Sequence, residues 1–334
     1  MSRRLSPSAW AALAGAAVLL LLPLVVRSKF ALHNLILVFL YASLAASWNI
    51  LGGLAGQHSM GHAAYFGIGA YTSTLLFIRL GISPWIGFLA GVALVAVFAL
   101  AVSYPAIRLR GPFFTLASIA IVEVLRRVAI HWRSLTEGSV GLTVPFKPGW
   151  QWMIWRGKEP YYYLTLLILI GVVALTYGIR RSRVGYYLRA MRADEDAAAV
   201  LGVSTTRYKL MALLISAVLT GMLGTIYAQY MYFIEPDSVF SLDLSIELVL
   251  LSVIGGLDSV MGPVLGAALV VPLNEFLRGV GSQQLQGLNF FIYGVVLIIV
   301  VILMPNGIIP TVRRWWERLN GSRLATAHTK GVAR

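Results

Sequence analysis

Apolar runs follow one another along almost the whole chain, cut into segments by glycine, proline and short clusters of charge. Each run bounded in this way predicts a helix, over 8–26, 32–52, 61–78, 84–104, 113–130, 162–178, 209–232, 244–257, 262–279 and 288–304. Most are close to the roughly 20 residues that cross about 30 Å of hydrocarbon. The pattern is all-α: a polytopic transmembrane bundle of about ten spans, with residues 1–334 as a single domain. The first run follows Arg3 and Arg4 as a signal peptide would, but it is long and ends at Arg27 and Lys29 without a small-x-small cleavage site, so it reads as a retained span. The run over 244–257 is short and ends in glycine. It reads as a broken or re-entrant helix, which is tolerated where protein or a water-filled cavity surrounds it.

Ten crossings that begin in the cytoplasm return there, giving an N-in, C-in topology. Most of the 27 Lys and Arg residues then fall on the inner side, in the loop 180–209 and the basic tail 305–334 above all, as orientation by Lys and Arg bias requires. Arg27 and Lys29 are exceptions. Trp132, Trp150, Trp152, Trp155 and Tyr161 to Tyr163 crowd the longest outer segment, where amphipathic rings suit the headgroup level.

Composition narrows the chemistry. The chain is 58% hydrophobic and 12% charged, against about 25% charge in soluble domains. It has no cysteine, which removes disulfides, thiolate metal sites and cysteine nucleophiles together. The net charge of +14 does not point to nucleic acid, because the basic residues sit at the ends of apolar runs and form no continuous face. No phosphate-binding Gly-x-x-x-x-Gly-Lys loop occurs; the nearest Gly-Lys pair, Gly157-Lys158, lies in the tryptophan-rich segment, so the chain is not expected to bind ATP. His58 and His62 stand four apart without a third ligand, so no metal site is expected. With no paired acids or nucleophile arrangement, neither is an enzyme.

One stretch departs from the pattern. In "MRADEDAAAVLGVS", Met191 to Ser204, Asp194 suits an N-cap, Glu195 and Asp196 suit the first turn, and Ala197 and Ala198 favour helix up to a stop at Gly202. A helix of about two turns is marginal in water unless it docks on something. Candidate path residues are polar groups inside or beside spans: Asn49, Gln57, His62, Glu123, Glu247, Asn274 and Glu275. Glu123 has Arg126 and Arg127, and Glu275 has Arg278, at ion-pairing spacing. Gly61, Gly67, Gly69, Gly255, Gly256, Gly262 and Gly266 are placed to pack or break helices. Two segments echo one another: "GGLAGQHSMGHAAYFGIGA" from Gly52 and "GGLDSVMGPVLGAAL" from Gly255. Such duplicated, glycine-interrupted spans point to the central path of a transporter.

The blocks "GHAAYFGIGAY" (61–71), "LRGPFFTLASIAIVEVLR" (109–126), "SLTEGSVGL" (134–142) and "VIGGLDSVMGPVLGA" (253–267), in order with the acidic-alanine loop, resemble the membrane subunits of branched-chain amino acid ABC importers, the LivM type in particular. The resemblance runs roughly from Ala42 to Ile308. The chain departs from it at Asp258, where the family usually has glycine, and at Asn306, where a basic residue is common. The resemblance implies a coupling helix, with Glu195, Asp196, Ala197, Ala198 and Gly202 matching the family pattern, that sits in a groove of an ATPase subunit. It further implies a LivH-like permease partner, two ATPases that bind ATP and Mg, an external solute-binding protein, a bacterial inner-membrane location, and a branched-chain amino acid or related small polar solute as cargo. The alternative is an ion-coupled secondary carrier that uses Glu123, Glu247 and Glu275.

Overall fold

The computed structural model describes residues 19–23, 28–109 and 111–280, with isolated positions between 294 and 311. The expected spans 8–26 and 288–304, Asn306 and the tail therefore lie wholly or largely outside the described residues. The rest is helical. The main elements are α1 (Lys29–Leu54), α2 (His62–Leu80), α3 (Pro84–Ile107), α4 (Pro112–His131), α5 (Glu159–Arg181), α6 (Arg183–Ala193), α7 (Glu195–Val200), α8 (Thr205–Met231), α9 (Leu242–Gly255) and α10 (Gly262–Val280). A two-residue antiparallel pair, Leu142–Thr143 with Phe233–Ile234, is the only sheet among the described residues.

Every expected span from 32–52 to 262–279 coincides with one of these helices. Among the described residues five helices are long and apolar enough to cross a membrane: α1, α3, α5, α8 and the segment Pro236–Gly255. The last is interrupted ahead of the expected run 244–257, which is itself continuous helix up to Gly255. A turn over Pro236–Val239 gives way at Phe240, and Ser241 then caps α9 by accepting from the Asp243 amide at 3.0 Å. Gly256, at φ +116, ends it.

Burial sorts the helices into layers. The apolar window of α1 is 89% buried against 28% for α3, so α1 runs through the centre while α3 is apolar on all sides and faces outward, as a lipid-facing helix must. Helices α2 and α8 pack against each other and against α3, and α1 against α5, α8 and α10. Lipid is as apolar as leucine, so burial in water does not hold such helices together; close packing and interhelical hydrogen bonds do. The α2–α8 seam has both. A methyl group on Gly69 would lie 2.0 Å from the Gly221 carbonyl oxygen, and one on Gly224 2.1 Å from that of Phe66, so the two backbones touch directly. Thr225 Oγ1 donates to the Gly69 carbonyl at 3.0 Å beside the contact. The pair α9–α10 repeats the device, with Gly266 against the Leu251 carbonyl and Gly255 against Gly262.

This geometry separates packing glycines from incidental ones. Gly69→Leu is expected to force α2 and α8 apart at a cost of about 1–3 kcal/mol or more, read as a lowered melting temperature in detergent. Gly171→Ala on α5, where an added methyl meets nothing within 4 Å, is expected to raise stability by about 0.5–1 kcal/mol.

Candidate functional site

At one end of the bundle α5 runs into a helical loop that returns through α8. Ser182 caps α6 by accepting from the Gly185 amide at 3.3 Å. Asp194 caps α7 by accepting from the Ala197 amide at 2.9 Å, and Gly202, at φ +86, ends it. The two-turn helix expected over Asp194–Leu201 is thus a six-residue helix. A second loop helix, α6, was not anticipated, because its arginines read as markers of sidedness alone.

Side chains divide α7 into two faces. Ala198 is buried against the bundle, and Glu195 Oε2 pairs at 2.5 Å with Lys209 Nζ on α8, whose side chain is only 3% exposed. Ala197 and Ala199 face outward, and the tip carries Val200 and Leu201 at 88% and 84% exposure. The helix is therefore fastened beneath by an ion pair and presents a smooth apolar tip.

The loop also holds both glycine turns. Ile50–Leu54, which includes Gly52 and Gly53, forms the π-helical end of α1, followed by an irregular link to α2. Gly255–Leu257 stand at the corresponding junction of α9 and α10. Arg192 on α6 donates to the Gly53 carbonyl, and a methyl on Gly56 would strike the Arg192 side chain. Arg180, in the last turn of α5, lies 3.5 Å from Asp258 Oδ2. Asp258 itself has φ +64, the left-handed conformation that glycine adopts without strain and aspartate tolerates better than most residues. The two turns meet through Asn49, whose Nδ2 donates to the Ser259 carbonyl at 3.0 Å.

The other path candidates are dispersed. His62 is fully buried: its Nε2 lies 2.6 Å from Ser216 Oγ, which donates its one proton to the Ser47 carbonyl. Ser216 must then accept from His62, placing the imidazole proton on Nε2 and tying α1, α2 and α8 together. Gln57 borders a cavity of about 420 Å³ between the first glycine link and the start of α4. Glu123 pairs with Arg126 at 2.9 Å and Arg127 at 2.7 Å, and Arg126 reaches Asp237. Glu247 and Asn274 are partly buried on α9 and α10. Glu275 is partly buried on α10 and acts electrostatically on His33 and Tyr230; the side chain of Arg278 lies outside the described residues. A methyl group on Gly61 would lie 3.3 Å from Ser118 Cβ, and one on Gly67 would strike the ring of Phe240. No cluster of three potential metal ligands occurs among the described residues.

At the opposite end lies a second cavity, of about 390 Å³. There α1 and α5 begin and α8 ends, with Lys158 Nζ on the Lys29 carbonyl at 3.1 Å. Of the aromatic residues expected as interfacial anchors, Trp155 packs edge-on to Tyr161 at 4.8 Å and Trp152 against Phe77 at 5.3 Å. Trp132 and Trp150 remain exposed.

Residues 30–301 match the model of the family described as "branched-chain amino acid transport system / permease component". The chain is similar to the high-affinity branched-chain amino acid transport system permease protein LivM of Escherichia coli K12, at 27% identity over 86% of this chain and 71% of that protein. It is also similar to LivH of Salmonella typhimurium LT2, at 24% identity over 80% and 91%, and to a probable LivM of Methanocaldococcus jannaschii, at 20% over 71% and 68%. No solved structure matches.

The fastening of α7 is testable apart from any activity. Glu195→Gln strands the buried Lys209 ammonium and is expected to cost about 2–3 kcal/mol. Combining it with Lys209→Met is expected to recover most of the loss, since removing both partners is far cheaper than removing one; thermal unfolding in detergent reads both.

Proposed function

The chain belongs to the family of branched-chain amino acid transport system permease components, and from that membership we propose that it forms half of the membrane path of an ATP-driven importer whose ATPases grip it at α7. As the resemblance noted at the outset implies, its partners are a second, LivH-like permease subunit, two ATPase subunits that bind ATP and Mg, and an external solute-binding protein. Its relatives are permease components, not catalysts. The cargo is a branched-chain amino acid or a related small polar solute, as the printed names of the relatives suggest. The chain crosses a bacterial inner membrane about ten times with both termini inside.

The observation that carries this reading is the short, capped helix α7, which leaves Val200 and Leu201 bare at its tip. Burying two such side chains is worth about 1.5–3 kcal/mol each, a fair return for a partner with a matching groove. Alternating access then follows from the fastenings. Closure of the ATPases displaces α7; the Glu195–Lys209 pair passes the displacement to α8, Arg192 passes it to the first glycine turn and Arg180 to the second. Each turn is a place where helix geometry is already interrupted, so it can swing without breaking regular hydrogen bonds. A rigid-body rocking of the bundle opens the path to one side and then to the other. The ion-coupled alternative gains nothing from the comparisons, and Glu123 is engaged by two arginines.

Two experiments test the proposal. In the reconstituted importer, Val200→Asp with Leu201→Asp is expected to abolish uptake and detach the ATPases. Arg192→Gln is expected to leave the ATPases bound while lowering solute imported per ATP several-fold. Full coupling in both variants would refute the role of α7.

Because the chain has no cysteine, sidedness can be read with single introduced thiols. Val200→Cys is expected to react with a membrane-impermeant maleimide only from the cytosolic side, and Val140→Cys, at 77% exposure, only from outside. The reverse pattern would invert the topology.

A further inference from the structure

The cavity at the end remote from α7 has a lining that the coupling role does not use. It lies among the start of α1, the loop leading into α5 and the end of α8, with Tyr161, Tyr230 and Tyr232 presenting hydroxyl-bearing rings and Arg156 and Lys158 at the rim. We propose that it is a receiving subsite for a free amino acid, holding the α-carboxylate at Arg156 and Lys158 and the α-ammonium against the tyrosine rings. The inference rests on the permease reading and deepens it.

Four observations converge. The first is unspent cationic capacity: Arg156 is exposed and meets no acid among the described residues, while Lys158 gives one of its three protons to the Lys29 carbonyl. Burial first, and then the like charge of Lys29, hold Lys158 below its ordinary value. The second is an orphan donor. The indole Nε1 of Trp155, a lining residue, is buried without an acceptor, whereas buried donors are ordinarily satisfied.

The third is the tyrosine cluster. Tyr230 bonds His33 Nδ1, and Tyr161 lies 3.2 Å from the Tyr232 hydroxyl. Electron-rich rings therefore line the cavity beside its cations, and such rings attract an ammonium group. The fourth is size. About 390 Å³ is at the small end of the roughly 300–1,000 Å³ of small-molecule sites, enough for an amino acid with some water. Phe146 and Met231 add apolar surface for a side chain. Position agrees: solute delivered from outside meets this end first, and the ATPase end last.

Direct binding tests the subsite. The complete, nucleotide-free complex in nanodiscs of neutral lipid, without its solute-binding protein, is expected to bind tritiated L-leucine weakly but saturably. Arg156→Gln with Lys158→Gln is expected to weaken that binding about tenfold, Arg156→Lys with Lys158→Arg to restore it, and isopentylamine, which lacks the carboxylate, to fail as a competitor. Equal binding by wild type and the Gln variant, or none by wild type, overturns the subsite. So does displacement of leucine by anionic phospholipid added to the discs, which would assign the cations to a lipid phosphate. ATP-dependent uptake measured on the same wild-type complex keeps the two readings apart: uptake without leucine binding sinks the subsite alone, and absence of uptake of every common amino acid sinks the permease reading with it.

Discussion

Direct contact between helix backbones is the constraint on which this protein is built. Within hydrocarbon each backbone polar group must be satisfied inside its own helix, and helices gain nothing from hiding leucine from leucine. Adhesion must come from close approach and from hydrogen bonds between neighbours. The α2–α8 seam supplies both, with Gly69 on Gly221, Gly224 on the Phe66 carbonyl and Thr225 on the Gly69 carbonyl. The relay from His62 through Ser216 to the Ser47 carbonyl then joins α1 to the same seam. With that core rigid, the outer helices can be uniformly apolar, and the ends of the bundle are free to carry function.

The two ends differ in kind. At one, an apolar helix tip is held from beneath by a buried ion pair and connected through two arginines to the interruptions in the helices. At the other, aromatic rings and cations enclose a small polar cavity. Asn49 joins the two glycine turns to one another. Arg180 pairs with Asp258 where the backbone takes the left-handed conformation.

Much of this was legible in the chain. Period and punctuation gave every helix from α1 to α5 and from α8 to α10 within a few residues, since a membrane helix is a local object whose length is set by the bilayer. The cap at Asp194 and the stop at Gly202 were legible for the same reason, as both act over a single turn. Several site residues were not. Arg180 and Arg192 carried the signal of sidedness, and nothing in their spacing announces partners 78 and 139 positions away. Lys209 looked like the basic start of a span, yet it is buried on Glu195. The spacing of the tryptophans does not show that Trp155 lines a cavity.

The sequence by itself determined that the protein is an all-α membrane protein and, through its ordered motifs, which family it belongs to, because hydrophobic length, helix punctuation and short motifs are written locally. Only the tertiary structure decided which glycines touch a neighbouring backbone, which acids are paired, and which arginines hold the glycine turns. Those facts depend on residues far apart in the chain meeting at a few ångströms, and a linear pattern does not encode the distance between helices.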